Sequence, residues 1–197
     1  MRWVAAWIVL AGCRLHFDEL ADANGDAADV GYFMSPAGDD ANPGTRALPW
    51  RTFTASIPKL VAGDTLNLLD GEYDANALGR LDVQCGIGAA NGTPLAPITV
   101  RADHSRRAHL FGKSGPVEIQ YCSYWSVAGL YVTDLDDPTA VTIGGPVTVY
   151  NSDHIIVRDF VIVGANRYQN VNALEIGHSA DCLVEDAEAY EFFRGAF

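Results

Sequence analysis

The chain predicts an all-β fold, a parallel β-helix solenoid, and three observations predict it. First, VEIQYCSYWSVAGLYV (Val117–Val132), VTVYNSDHIIVRDFVI (Val147–Ile162) and LEIGHSADCLVEDAEA (Leu174–Ala189) fall into one register, at steps of 30 and 27 residues. Six columns are apolar in all rows: Val117/Val147/Leu174, Ile119/Val149/Ile176, Trp125/Ile155/Cys182, Val127/Val157/Val184, Leu130/Phe160/Ala187 and Val132/Ile162/Ala189. In a chain that is 49% apolar, a random triple would be all apolar only about one time in eight. Second, apolar residues within each row alternate with a period of two, and no helical period fits. Third, Gly, Asn and Asp punctuate the rows, as β turns require. Alternation alone does not separate parallel coils from antiparallel hairpins, which leaves a propeller or sandwich as the alternative. The comb of leucine and asparagine that a leucine-rich repeat needs is missing.

Taken in order, the chain opens with MRWVAAWIVLAGC. Its apolar run, Trp3 to Leu10, is too short to span a bilayer as a permanent helix, so residues 1–13 read as an export signal. Leu10-Ala11-Gly12-Cys13 resembles the lipobox of bacterial lipoproteins. That resemblance implies lipidation of Cys13 and a lipid-anchored place in the bacterial cell envelope; an ordinary signal peptide and secretion is the alternative. Residues 14–31 are rich in Ala and Asp (Asp18, Asp22, Asp26, Asp29, with Glu19). Low hydrophobicity and like charge make them an acidic flexible tether.

Residues 32–63 form the expected N-terminal cap and 64–197 the coils, about five of them. Thr52 is placed to cap a short helix whose Phe53, Ile57, Leu60 and Val61 share one face, suited to covering the open end of an apolar stack. Pro58 should split that helix into two short pieces. Gly63-Asp64 turns the chain into the first strand of the stack, where Leu66 and Leu68 lie one turn before Val100. Ile98 and Val100 in turn lie under Trp125 and Val127. The spacings between Val100, Val127, Val157 and Val184 are 27, 30 and 27 residues.

The stretch YFMSPAGDDANPGTRALPWRTFTASIPKLVAGDTLNLLDGEYD, from Tyr32, resembles the opening segment of secreted right-handed parallel β-helix proteins of the pectate-lyase-like group. The likeness covers the first coil and its cap, and implies a right-handed coil. Lyases, hydrolases, epimerases and proteins without known activity share such a segment, so it implies a fold and no one reaction. At the other end, the last repeat runs into YEFFRGAF without a capping helix. The expectation is a stack truncated at the C-terminus, the piece of a longer β-helix; a partner chain covering that end is the alternative.

The net charge of −12 (13 Lys and Arg against 25 Asp and Glu) argues against nucleic acid as a partner. An anionic glycan would need a basic patch or a bridging cation, whereas neutral glycans face no such difficulty. Cys182 falls in an interior column and reads as a small buried hydrophobe. Cys85 and Cys122 lie in turn-like surroundings, where export permits a disulfide; the sequence does not give their separation.

Residues a coil apart become neighbours about 4.8 Å apart, so columns are where a site would form. Tyr121, Asn151 and His178 share one column, with Gln120, Tyr150 and Gly177 beside it. These aromatic and hydrogen-bonding groups can stack on and grip sugar rings; a turn ladder without a ligand is the competing reading. Arg158 and Glu185 read as a cross-strand ion pair. Asp159 and Asp186 share the next column. The resemblance implies calcium there, bridging substrate carboxylates and acidifying the proton beside them, whereas a solvated turn needs no metal. Asp134, Asp136 and Asp137 read as a turn. A lyase of this group also needs a basic residue, and Arg167 and Arg194 lie nearest the acidic columns, with Arg167 counted among candidate substrate contacts. No catalytic motif of the group is matched. GHSAD lacks the last glycine of a nucleophile elbow, GIGAANG lacks the strand and helix of a dinucleotide site, and the histidines lack zinc spacing.

The expectation is therefore an exported polysaccharide-binding β-helix, with lyase or hydrolase action on cell-wall or uronate glycans implied by resemblance alone. The rival is a non-catalytic surface module, an adhesin or structural lipoprotein.

Overall fold

A computed structural model describes residues 30–113, 115–135, 145–164 and 172–191. Cys13 and most of the tether, Asp136, Asp137, Arg167 and Arg194 lie outside the described residues.

Among the described residues the strands are β1 (Tyr32–Met34), β2 (Thr65–Leu68), β3 (Gly71–Asp74), β4 (Leu81–Gln84), β5 (Ile98–Ala102), β6 (Ala108–Gly112), β7 (Val117–Gln120), β8 (Ser123–Ala128), β9 (Leu130–Asp134), β10 (Val147–Tyr150), β11 (Asp153–Val163), β12 (Leu174–Gly177) and β13 (Leu183–Tyr190). Every ladder between them is parallel, and the chain winds into a solenoid of about five turns. The coil has three faces. The first stacks β1, β2, β5, β8 and the leading half of β11; the second stacks β3, β6, β9 and the trailing half of β11; the third stacks β4, β7, β10 and β12. β13 extends both halves of β11, so the first two faces join into one folded sheet.

The register follows the apolar columns. Val147 pairs with both Val117 and Leu174, Val157 with Val127 and Val184, and Ile162 with Val132 and Ala189. Upstream, Val100 pairs with Val127 and Leu66 with Val100. Because side chains alternate sides, these columns point inward and stack into one core, in which Trp125, Val127, Val157, Phe160 and Ile162 are buried. Each such side chain contributes about 1.5–3 kcal/mol by leaving water. Trp125 keeps a polar handle, since its Nε1 donates to the Ala90 carbonyl at 2.9 Å.

Corners are made by left-handed residues, and these too repeat. One column is Tyr121, Asn151 and His178 (φ 57°, 48°, 48°), a second Tyr124, His154 and Asp181 (58°, 50°, 52°), a third Gly129, Asp159 and Asp186 (74°, 56°, 51°). Asn, Asp and His tolerate this region better than other L residues, which explains their use at corners. Serines tighten the first corner. Ser152 Oγ donates to the Tyr150 carbonyl and accepts from Cys122 N of the preceding coil, and Ser179 Oγ accepts from Ser152 N in the same way.

At the N-terminal end, α1 (Phe53–Ser56) is capped by Thr52, whose Oγ1 accepts from Ala55 N, and a single 3-10 turn, Ile57–Lys59, follows at Pro58. The helix is split at the proline, as its ring requires. Phe53, Ile57 and Leu60 cover the core, but Val61, expected on the same face, is 58% exposed because the helix has already ended. Asp40 secures this cap by accepting from Arg51 N, Thr52 N and Thr52 Oγ1. Those hydrogen bonds outweigh its partial burial and hold its carboxyl below the usual range. Trp50 is buried, stacks on Tyr32 and donates to the Asn42 carbonyl. A second short helix, α2 (Ala75–Leu78), links β3 to β4.

Candidate functional site

The third face and its corner carry Tyr121, Tyr150, Asn151 and His178, all singled out by sequence. Its strands LDVQ, VEIQ, VTVY and LEIG turn Leu81, Val83, Val117, Ile119, Val147, Val149 and Leu174 inward. Two outward rows remain, Asp82/Glu118/Thr148/Glu175 and Gln84/Gln120/Tyr150/Gly177, fixed by the ladder pairing. The corner column Tyr121/Asn151/His178 runs along their edge. With four strands the rows extend about 14 Å, three gaps of ~4.8 Å.

The row ending in Gly177 explains the pose of Tyr150. A Cβ on Gly177 would stand 2.5 Å from Tyr150 Cε2, so only glycine lets that ring lie down over the next coil. There it meets His178 edge-on, with centroids 4.8 Å apart. Tyr121 stands 56% exposed at the same corner. Tyr121, Tyr150, Asn151 and His178 are therefore brought together, with Tyr121 and His178 exposed and the half-buried Tyr150 ring lying over Gly177. Such a surface offers ring stacking flanked by amide and carboxylate hydrogen-bonding groups.

Sequence reasoning missed the opposite end of this face. Arg80 lies just before β4 and pairs through Nη2 with Glu118 Oε2, while Gln120 Nε2 donates to Glu118 Oε1. Arg80 Nε is buried without a hydrogen-bond partner. Beside it, a cleft of about 460 Å³ is bounded by Thr54, Ile57 and Pro58 of the cap, Ala75 of α2, Arg80, Asp82 and Gln84, and Ile87-Gly88. The signal was present: LDVQ matches VEIQ at a spacing of 36 residues, but the 86–97 loop lengthens that coil beyond the steps of 27 and 30.

Cys85 follows β4 directly, Cys122 follows β7 after Tyr121, and the two are joined by a disulfide, with Cα atoms 5.0 Å apart. The bond ties two coils together beside Tyr121. Cys182 is half-buried rather than enclosed, because it lies in the last described coil and nothing described stacks beyond it.

In the acidic corner column, where calcium was expected, one carboxylate already has side-chain partners. Asp159 and Asp186 do share a column, yet Asp159 Oδ1 accepts from Arg106 Nε at 2.7 Å, and its Oδ2 accepts from Ser105 Oγ. Arg106 Nη1 also reaches Glu188 at 2.6 Å. The loop between β5 and β6 thus supplies a resident cation, which the sequence columns could not reveal because that loop has no counterpart in later coils. Among the described residues no three His, Cys, Asp or Glu side chains form a group able to hold a metal. Arg158 and Glu185 pair at 2.7 Å, a cross-strand contact at the surface. Asp134, read as part of a turn, instead ends β9 and is buried.

Comparisons with known proteins agree with this architecture. No family model matches the chain. It is 28% identical over 154 residues to the uncharacterized protein YwoF of Bacillus subtilis, a match covering 72% of this chain and 30% of that protein. Among solved structures it resembles a rhamnogalacturonan lyase (TM-score 0.50, 16% identity, 81% of this chain and 51% of that one). It also resembles the GH136 lacto-N-biosidase of Eubacterium ramulus (TM-score 0.51, 17% identity, 79% of this chain and 30% of that one). The chain thus spans between about a third and a half of the proteins it matches, and at these identities the solved structures establish a shared parallel β-helix fold.

Proposed function

We infer that this protein is an exported carbohydrate-binding β-helix that holds a polysaccharide along its third face. The observation that carries the reading is the Tyr150 ring laid over Gly177 and backed by His178, with Tyr121 exposed beside it and the Gln84/Gln120 row leading away. Sugar rings stack on exposed aromatic faces while their hydroxyls exchange hydrogen bonds with amides and carboxylates. Two neighbours of the same fold, a rhamnogalacturonan lyase and a lacto-N-biosidase, are carbohydrate-active enzymes, which supports the class of ligand. The Cys85–Cys122 bond supports export, since disulfides persist in oxidising compartments. The Cys13 anchor belongs to the same proposal.

The experiment is a calorimetric titration of neutral and uronate oligosaccharides, with and without calcium, while product is followed by reducing ends and by absorbance of unsaturated sugars. Binding that Tyr150→Ala weakens at least tenfold is the expected result. Binding that is indifferent to Tyr150→Ala and Tyr121→Ala removes the third face from the reading.

A binding role is favoured by one specific observation. Each oxygen of Glu118, the central carboxylate of the face, already accepts from a neighbour, Arg80 or Gln120, which positions it to hold a ligand hydroxyl with its remaining lone pairs. Lyase or hydrolase action would show as product in the same titration.

A further inference from the structure

The cleft at the N-terminal end of the third face was not anticipated from sequence, and its walls are unlike one another. Pro58 and Ile87 are apolar and exposed, Ile87 to 81%, while Ile57 borders the cleft from within the core. Arg80, Asp82 and Gln84 form the other side and bring donors and acceptors. A pyranose has the same division, with an apolar C–H face and a rim of hydroxyls. At about 460 Å³ the cleft is the size of an ordinary small-molecule pocket.

Position adds a second constraint. β4 is the first strand of the third face, and the cap (Thr54, Ile57, Pro58) and α2 (Ala75) rise where a preceding coil would otherwise stand. A glycan lying along the outward rows meets the cap and α2 where it reaches β4. The cleft is therefore a place for a chain end.

Charge adds a third. The outward positions of β4, β7, β10 and β12 include Asp82, Glu118 and Glu175 and no lysine or arginine. Arg80, the cation at the cleft, already gives Nη2 to Glu118, and its Nε is turned into the protein. A uronate carboxylate there would face Asp82 and Glu118 with little to compensate, whereas hydroxyls would find both acceptors and donors.

We propose that this cleft receives the terminal residue of a neutral glycan, with Arg80, Asp82 and Gln84 on its hydroxyl edge and Pro58 and Ile87 against its C–H face. The proposal rests on the third face being the glycan surface and adds the end, the polarity and the charge class of the ligand.

The test uses the full chain and a panel of hexasaccharides: galacto-, manno-, xylo- and N-acetylchitohexaose as neutral probes and hexagalacturonate as the anionic one. A neutral probe should bind at least tenfold more tightly than hexagalacturonate, and affinity per chain should be the same for that hexamer and its polymer, because only the end is gripped. Ile87→Arg, a change at an exposed position, should weaken binding at least tenfold, and Asp82→Lys should raise hexagalacturonate affinity at least tenfold. Neutral binding that is lost in Tyr150→Ala but unchanged in Ile87→Arg, or affinity that rises with polymer length, overturns the end cleft and leaves the third face standing. Tighter binding of hexagalacturonate overturns the charge argument. Absence of binding by every probe overturns both the cleft and the surface on which it depends.

Discussion

Breaking the Cys85–Cys122 bond gives the sharpest test of how the coils are held. The cysteines are 37 residues apart, and their bond closes one whole lap of the solenoid. The constraint acts on the unfolded chain. For a loop of that length the closure entropy corresponds to about 4 kcal/mol at 25 °C. With a urea m-value of about 2 kcal/mol/M, reduction should lower the unfolding midpoint by about 2 M. The assay is urea unfolding by far-UV circular dichroism, run on oxidised protein, on protein kept in a phosphine reductant, and on Cys85→Ala/Cys122→Ala. Reduced and double-mutant curves should coincide and both should lie well below the oxidised one. The fold should survive, because Val83, Ile119 and Val149 still stack in the core without the bond. If Cys85 and Cys122 both titrate as thiols in non-reduced denatured protein, or if the oxidised and reduced curves superimpose, the reasoning fails.

Other consequences are open to direct measurement. Phe160→Ala should cost about 3–5 kcal/mol, read by the same denaturation, because the side chain is fully buried at the bend of β11 and the neighbouring coils leave a cavity in its place. Tyr121→Asn should raise the thermal midpoint, since a bulky residue at φ 57° carries about 1–3 kcal/mol of strain that Asn carries less of, while glycan binding falls with loss of the ring. Gly177→Ala should weaken glycan binding with little change in melting, since the new methyl displaces the Tyr150 ring and touches nothing in the core. The Arg46 guanidinium, forked onto Asp103 at 2.7 and 2.8 Å, holds that carboxyl below its ordinary value. A depressed folded-state pKa contributes stability that is present above the unfolded value of about 3.9 and is lost as pH falls through the lower folded one, so Asp103→Asn should flatten the acid limb of a stability–pH curve below about pH 4.

Most of the winding was legible because burial and alternation together leave a periodic mark. Val100, Val127, Val157 and Val184 had to be apolar once each lap rested on the next, and a slip of one residue would have turned a whole row outward. The corners left a weaker mark. Asn151, Asp159 and Asp181 are the residues one expects at positive φ, but Tyr121 sits in the column of Asn151 and Tyr124 in that of Asp181 with no local preference for it, held there by the ladders on either side. Register is fixed by the strands, and the corner residue adopts what closure requires.

The candidate site was legible only where it coincided with the repeat. Tyr121, Asn151 and His178 came together because they occupy equivalent places in successive laps, with Tyr150 in the row beside them, so counting residues was enough to find them. Arg106 and Arg80 could not be found that way, since each enters from a segment that occurs once: the loop after β5 and the link between α2 and β4. These two changed the chemistry most. Arg106 fills the acidic corner with a guanidinium where a metal had been expected, and Arg80 ties up the central carboxylate of the third face. A solenoid therefore separates two kinds of information. What repeats builds the surface, and what interrupts the repeat sets its charge, so the substitution that should best convert this surface to an anion binder is at Asp82, at the foot of the one coil whose length departs most from its neighbours.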